Sequence, residues 1–252
     1  MTGTTHTRST ATGSVRPALD RGAAMRLAAT ENKRFLEQLQ QLSAEDWAKP
    51  TDCPAWDVKA VAGHVTGMAE MSASFVEQAR QMRTAGKSDG LFIDALTALQ
   101  VAKHASSTPD HLVHRFAETG PKAARGRRRV PGLVRRFATM QETVAGKEER
   151  WAMGYLVDVI LTRDTWMHRV DIARATGREL ELTADHDGVL VADVAAEWAR
   201  RHGQPCSLVL TGPAGGSWSW GGGGPVVEQD AVEFCRGLSG RGAAAFQTEV
   251  PF

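Results

Sequence analysis

Asp164 and His168 stand four residues apart in RDTWMHRVD. On a helix that spacing points both side chains the same way, about one turn apart. A carboxylate and an imidazole so placed can grip one divalent ion from a single helix. A third ligand from a neighbouring helix would still leave a coordination position open, as catalytic metal sites do. His64 is the candidate for that third ligand. It lies three residues after Val61 and four before Met68, on the inward face of an apolar helix. Asp171 extends the stripe by one further turn. Burying such a stripe without partners costs several kcal/mol. A metal removes that cost, and so does a set of ion pairs with Arg163, Arg169 or Arg174. His64 has its own plain alternative, a hydrogen-bonded core histidine.

These residues need helices to hold them. From about Leu19 the chain turns helical, with Phe35, Leu36, Leu39 and Leu42 on one face as far as Ser43. SAEDWAKPTDCPAWDV then reads as a connection broken by Pro50 and Pro54, with Asp57 as the N-cap of the next helix. That second helix runs from Trp56 to Arg83 and carries His64. Gly63 and Gly67 beside it allow another helix or a ligand to come close. LFIDALTALQVAKHASS reads as a third helix after the GKSDG loop. STPDHLVHRFAETG starts a fourth, with a cap at Ser107 or Thr108 and Pro109 in the first turn. The helix bearing Asp164 and His168 starts near Lys147 and stops at Gly177.

Between these helices lies the most lopsided stretch, Lys122 to Arg136, with seven cations and no acid. A solvated face or loop, a site for an anionic substrate, and a nucleic-acid surface are the three readings. No recognition motif or interleaved aromatics support the last. After Gly177 the pattern becomes an extended piece, a helix to Gly203, strands in CSLVLTG and GSWSWGG, then a strand and short helix in PVVEQDAVEFCRGLSG. The glycines at 221–224 lack the Lys and Ser/Thr of a phosphate loop. The domain expectation is a disordered tail over 1–18, a metal-binding helical bundle over 19–178 and a small α+β domain over 179–252.

Composition narrows the class. The 252 residues are 42% hydrophobic and 23% charged with a formal net charge of +1, a soluble globular balance that argues against nucleic acid as a partner. Three scattered cysteines build neither a disulfide framework nor a cysteine-rich zinc site and fit a reducing cytoplasm. No apolar run reaches the roughly 18 residues needed to span a membrane. The N-terminal stretch has no apolar core of a secretory signal.

PTDCPAWDVKAVAGHV, with a Trp eight residues before the His, resembles the signature opening the second helix of DinB-like metalloenzymes. RDTWMHRVDIARATGREL resembles the later signature of one branch, the mycothiol-dependent maleylpyruvate isomerase family. The trailing segment, with its GR near the C-terminus, looks like that branch's C-terminal domain. The resemblance covers about residues 20–252. It implies a DinB-like four-helix bundle followed by a small α+β domain. It also implies metal ligands at His64, Asp164 and His168. Asp164 departs from the pattern, which has Glu there. Asp is one methylene shorter, so the ion would sit closer to this helix or be held through a different geometry.

Two imidazoles and a carboxylate suit zinc, among other first-row divalent ions. The resemblance implies mycothiol as cosubstrate and a small electrophile as substrate. Substrate carboxylates would need a cation, which an arginine fork fits, and the resemblance implies such an arginine from the C-terminal domain near the metal, Arg241 by motif and Arg236 as the fallback. Asp171 is the candidate partner of His168 or of an arginine. Trp56 and Trp166 are expected to pack beside the site. The expected activity is isomerisation or thiol transfer by a monomer or homodimer. The competing readings are a metal-free or vestigial anion-binding module, and a metal-assisted hydrolase with water in place of thiol.

Overall fold

The computed structural model describes residues 14–88 and 91–252. Residues 1–13 of the expected tail, and part of the GKSDG loop, lie outside them. The architecture is α+β. Four helices form the bundle: α1 (Arg21–Gln40), α2 (Val58–Ala73), α5 (Pro109–Arg129) and α8 (Leu161–Thr176). Helices α1 and α2 both pack against α5 and against α8, which closes the ring. Helices α3 (Phe75–Ala85) and α4 (Phe92–His104) flank α2.

The starts and stops follow from local chemistry. Asp20 accepts from the Gly22 and Ala23 amides, Asp57 from Ala60 and Thr108 from His111, each satisfying otherwise orphaned donors of a first turn. Gly177 ends α8 at φ 70°, a left-handed turn that glycine adopts without a Cβ penalty. At Gly67 an added Cβ would lie 2.8 Å from Gln100 Cβ, so the missing side chain is what lets α4 lie against α2.

Three stretches depart from expectation. The second helix does not run unbroken to Arg83. Ser74 is extended, at φ −138° and ψ 123°, and its hydroxyl caps α3 by accepting from the Glu77 amide. The segment at Lys147 is not helical. Strands β1 (Thr139–Val144) and β2 (Lys147–Ala152) form an antiparallel hairpin. Its two turn residues, Ala145 and Gly146, have φ 48° and 73°, the left-handed pair that a two-residue hairpin turn requires. Val15, counted in the expected tail, bridges to Trp151 on this hairpin. The third departure is the basic run. It is helical, forming the end of α5 and the short α6 (Gly132–Phe137), and two of its arginines are buried rather than solvated. Arg127 donates to the Val157 carbonyl and the Thr162 hydroxyl, both at 2.6 Å, and Arg135 pairs with Asp158.

After the hairpin, one turn of helix, α7 (Met153–Tyr155), leads through a wider π-type turn at Leu156–Ile160 into α8. Such turns shift the phase of a helix and frequently lie at functional sites. Beyond α8, helix α9 (Asp187–His202) packs on a three-stranded sheet ordered β4-β3-β5 and on α10 (Ala231–Arg236). Strand β3 (Cys206–Thr211) is antiparallel to β4 (Gly216–Trp220) and parallel to β5 (Val226–Asp230).

Helix α8 belongs to both halves of the molecule. Ile172 and Leu161 sit in the bundle core with Phe35, Val61 and Phe116. Trp166, Met167 and Val170 sit in the C-terminal core with Trp198, Leu208 and Phe234. The apolar interior therefore continues across the expected boundary at residues 178 and 179. No described helix is long and apolar enough to cross a membrane.

Candidate metal centre

Helix α8 has a third face, and it carries Asp164, His168 and Asp171. His64 reaches it from α2. His64 and His168 are each 5% exposed and Asp171 is fully buried, whereas the Asp164 side chain keeps 21% of its surface. His64 Nε2 lies 3.3 Å from Asp164 Oδ2, and His168 Nε2 lies 3.7 Å from Asp164 Oδ1. The ligand atoms of all three residues fall within 4.8 Å of one another. Ligands about 2.0–2.2 Å from a tetrahedral zinc stand roughly 3.3–3.5 Å apart, so a small inward adjustment suffices to share one ion.

The arginines expected as alternative ion-pair partners of the stripe are engaged elsewhere. Arg163 holds Asp193 and Glu197, Arg169 holds Glu31 and Asp187, and Arg174 holds Asp52 and Glu233. Asp164 Oδ2 and His64 Nδ1 are buried with no hydrogen-bond partner. A carboxylate with one oxygen toward each of two imidazole nitrogens, and without a well-formed hydrogen bond to Oδ2, suits a divalent cation. Residues, distances and unsatisfied atoms together fit such an ion.

The electrostatics agree. Burial alone would raise the Asp164 pKa, but the facing His168 and His64 reverse it and hold the carboxyl below its ordinary range. Burial disfavours charge on His168, yet Asp164 and then Asp171 outweigh it and hold the ring above its ordinary pKa. Without an ion, a proton on His168 balances the carboxylates. A metal bound there would take over that charge.

His168 Nδ1 lies 2.9 Å from Asp171 Oδ2. Asp171 accepts only, so Nδ1 carries a hydrogen, and Nε2 is the nitrogen that would present a lone pair to an ion on the Asp164 side. Arg241, from the segment after α10, donates to both oxygens of Asp171 at 2.7 Å through Nε and Nη2. Its Nη1 reaches Ser239 Oγ at 3.2 Å. Arg236 points elsewhere, to Asp52 and Glu233. Trp56 packs over the site with its ring centroid 5.3 Å from that of His64 and 5.9 Å from that of His168. Trp166 takes a different place. It stacks on Phe252 and donates to Asp187 within the C-terminal core.

Cys53 is the neighbour that sequence reasoning passed over. Its Sγ lies 3.5 Å from Asp171 Oδ2 and 3.4 Å from Arg241 Nη2. With His168 and Asp171 it forms a second group close enough to hold an ion, but Asp171 there is already filled by Arg241. Its place in PTDCPAW, inside the first signature, was the one available signal.

A cavity of about 320 Å³ opens onto His64, Asp164 and Arg241, between α2, α4, the β-hairpin and the last residues of the chain. A larger groove of about 680 Å³ lies between α1 and α5, where Arg125 and Arg128 of the basic run line it with Arg21 and Arg26. It contains none of the candidate ligands.

Comparison with known proteins places these observations. No curated protein matches the chain. Among solved structures, the mycothiol-dependent maleylpyruvate isomerase superposes with a TM-score of 0.56 at 18% identity, covering 89% of this chain and 91% of that one. A histidine-to-alanine variant of that isomerase gives the same TM-score and coverage at 16% identity. At such identities the likeness is one of fold. The profile of the mycothiol maleylpyruvate isomerase N-terminal domain matches residues 28–173, a span that includes His64, Asp164 and His168. That span is more than half of the sequence, and the chain belongs to the mycothiol-dependent maleylpyruvate isomerase family.

Proposed function

We propose that this protein is a mycothiol-dependent enzyme that holds one divalent metal, zinc by donor type, on His64, Asp164 and His168. Its reaction is isomerisation of a small electrophile or transfer of the thiol to it. The observation that carries the reading is the convergence of His64, Asp164 and His168, with ligand atoms within 4.8 Å of one another, beside a cavity that His64 and Asp164 line. The family and the named chemistry of its structural neighbours supply the thiol.

A bound divalent ion with an open position supplies Lewis acidity that holds a thiol as thiolate at neutral pH. His64 Nε2, Asp164 and His168 Nε2 would be the three protein donors. Asp171 fixes the His168 ring through Nδ1 and is itself fixed by Arg241, so α8 and the C-terminal segment orient one ligand together. Met68, Leu161, Trp151 and Phe252 wall the cavity and keep water from competing with a thiol. Arg241 serves as a positioning residue with Nη1 facing Ser239. Arg236 ties α10 to the loop before α2 through Asp52.

The test is metal content with activity. Purified protein is expected to carry about one metal per chain, to turn over an activated cis-olefin only with mycothiol, and to lose both properties in His168→Ala. Stoichiometric metal surviving that substitution would overturn the ligand assignment. Turnover without mycothiol would favour the hydrolase alternative.

A further inference from the structure

The cavity at the candidate metal centre carries a charge pattern that selects among electrophiles. Besides Asp164 its walls hold three carboxylates, Asp94 from α4, Glu142 from β1 and Glu249 from the last segment. The described ion pairs engage none of the three. Arg241 is the one Lys or Arg among the described lining residues, and its Nε–Nη2 edge is closed by the two oxygens of Asp171. That edge is one of the two on which a carboxylate binds in two-point fashion, and on the other Nη1 and Nη2 already reach Ser239 Oγ at 3.2 Å and Cys53 Sγ at 3.4 Å. Glu142 Oε1 is buried with no hydrogen-bond partner. Burial and the nearby Asp94 push its carboxyl up to about 7, so the pocket already resists the negative charges it has. Met68, Met71, Trp151, Leu238 and Phe252 supply apolar wall, and Thr97, Gln100, Thr143 and Ser239 supply uncharged polar groups.

We propose that the electrophile accepted by this chain is an uncharged or cationic conjugated olefin, and that Asp94, Glu142 and Glu249 exclude dicarboxylates from the cavity. The proposal rests on the thiol-dependent function above and adds the substrate class to it. In the reaction the thiolate sulphur bonds to one olefinic carbon and the C=C pair moves into the conjugated carbonyl as an enolate. Rotation about the new single bond follows, and return of the pair expels the thiolate. No oxidant or net proton is consumed. Addition moves the thiolate's negative charge onto the substrate, beside the same carboxylates, so each carboxylate on the substrate is penalised in binding and again as the adduct forms.

Dimethyl maleate, monomethyl maleate and maleate form a matched series of charge 0, −1 and −2. Each is given to the metal-loaded full-length protein with mycothiol, and each rate is divided by the rate of mycothiol alone with that compound. The expected rate enhancement falls by about tenfold or more with each added charge, the size of a modest like-charge penalty. In Asp94→Asn/Glu142→Gln/Glu249→Gln, or in Glu142→Gln alone should the triple variant fold poorly, the fall per charge becomes shallower. Enhancement equal or greater for maleate in the unaltered protein overturns the proposal and leaves the thiol-dependent function standing. No mycothiol-dependent enhancement with any of the three overturns that function and this proposal with it.

Discussion

Helix α8 serves two clusters of histidine and carboxylate, and they have opposite fates. Glu31, His186 and Asp187 lie within reach of one another and are fully buried. There every carboxylate oxygen has a donor. Arg169 Nε and His186 Nε2 reach the two oxygens of Glu31 at 2.8 and 2.6 Å. Trp166 and Arg169 reach Asp187 Oδ1 at 2.9 and 2.7 Å, and the Thr183 amide reaches Oδ2 at 2.6 Å. The cluster joins α1, α8 and the start of α9, and it pins the C-terminal half onto the bundle. At His64, Asp164 and His168 the residue types are the same, but no arginine comes in and two polar atoms stay unsatisfied beside a cavity. What separates the structural cluster from the proposed ligand site is therefore the supply of partners, not the list of residues.

The comparison breaks most visibly at Glu31. Glu31→Ala leaves Arg169 and His186 buried without their carboxylate, and removing one partner of such a pair costs about 3–5 kcal/mol. Urea unfolding of the metal-loaded protein is expected to show that loss, while the folded fraction keeps its metal. A loss below about 1 kcal/mol would place Glu31 among weakly coupled surface pairs and erase the contrast. Loss of metal from the folded variant would mean that the two clusters are one system.

The same contrast explains what could be read from the sequence. The His64 face, the Asp164–His168 spacing, the Asp57 cap and the Gly177 stop are local patterns whose physics acts within one or two helical turns, and they are visible in the chain. The hairpin at 139–152 was hidden because its turn is Ala145-Gly146. Alanine does not advertise a left-handed residue, and the β2 sequence KEERWA suits a helix equally well. Ser74 was hidden because apolar residues continue on either side of the cap. Arg127 and Arg135 looked solvated because their partners, Val157, Thr162 and Asp158, come from a segment that only the tertiary fold brings near. Glu31 and His186, 155 residues apart, could not be paired on any local rule.

A finer cut separates the ligands from the residue that orients them. Asp171 is buried like Glu31 and is filled by Arg241, yet it touches the open cluster through His168. Asp171→Asn keeps the shape and removes the charge that holds the ring's Nδ1 hydrogen. Metal affinity is expected to weaken about 10- to 100-fold, the range for such outer partners of ligating histidines. Competition with a chromogenic zinc chelator measures it. Unchanged affinity would show that packing against Trp56 alone holds His168 in place.

The smallest expected effect is at Cys53, and it is the sharpest test of which side of His168 the ion occupies. Cys53, His168 and Asp171 form a third convergent group, and a thiolate is a better zinc ligand than the Asp164 carboxylate. If softness of the donor decided the site, the ion would lie on the Nδ1 side of the ring. The supply of partners says otherwise. Asp171 gives both oxygens to Arg241, and a cation entering there would have to displace a guanidinium held at 2.7 Å on each side. Asp164 has no such competitor. Cys53→Ala is therefore expected to keep one metal per chain, with affinity within about threefold of the unaltered protein and stability within about 1 kcal/mol, since a half-buried thiol with two long polar contacts contributes little. Loss of the metal in this variant, with metal retained in Asp164→Asn, would move the centre to the other nitrogen of His168. It would also make Asp164 the salt-bridged residue of the pair.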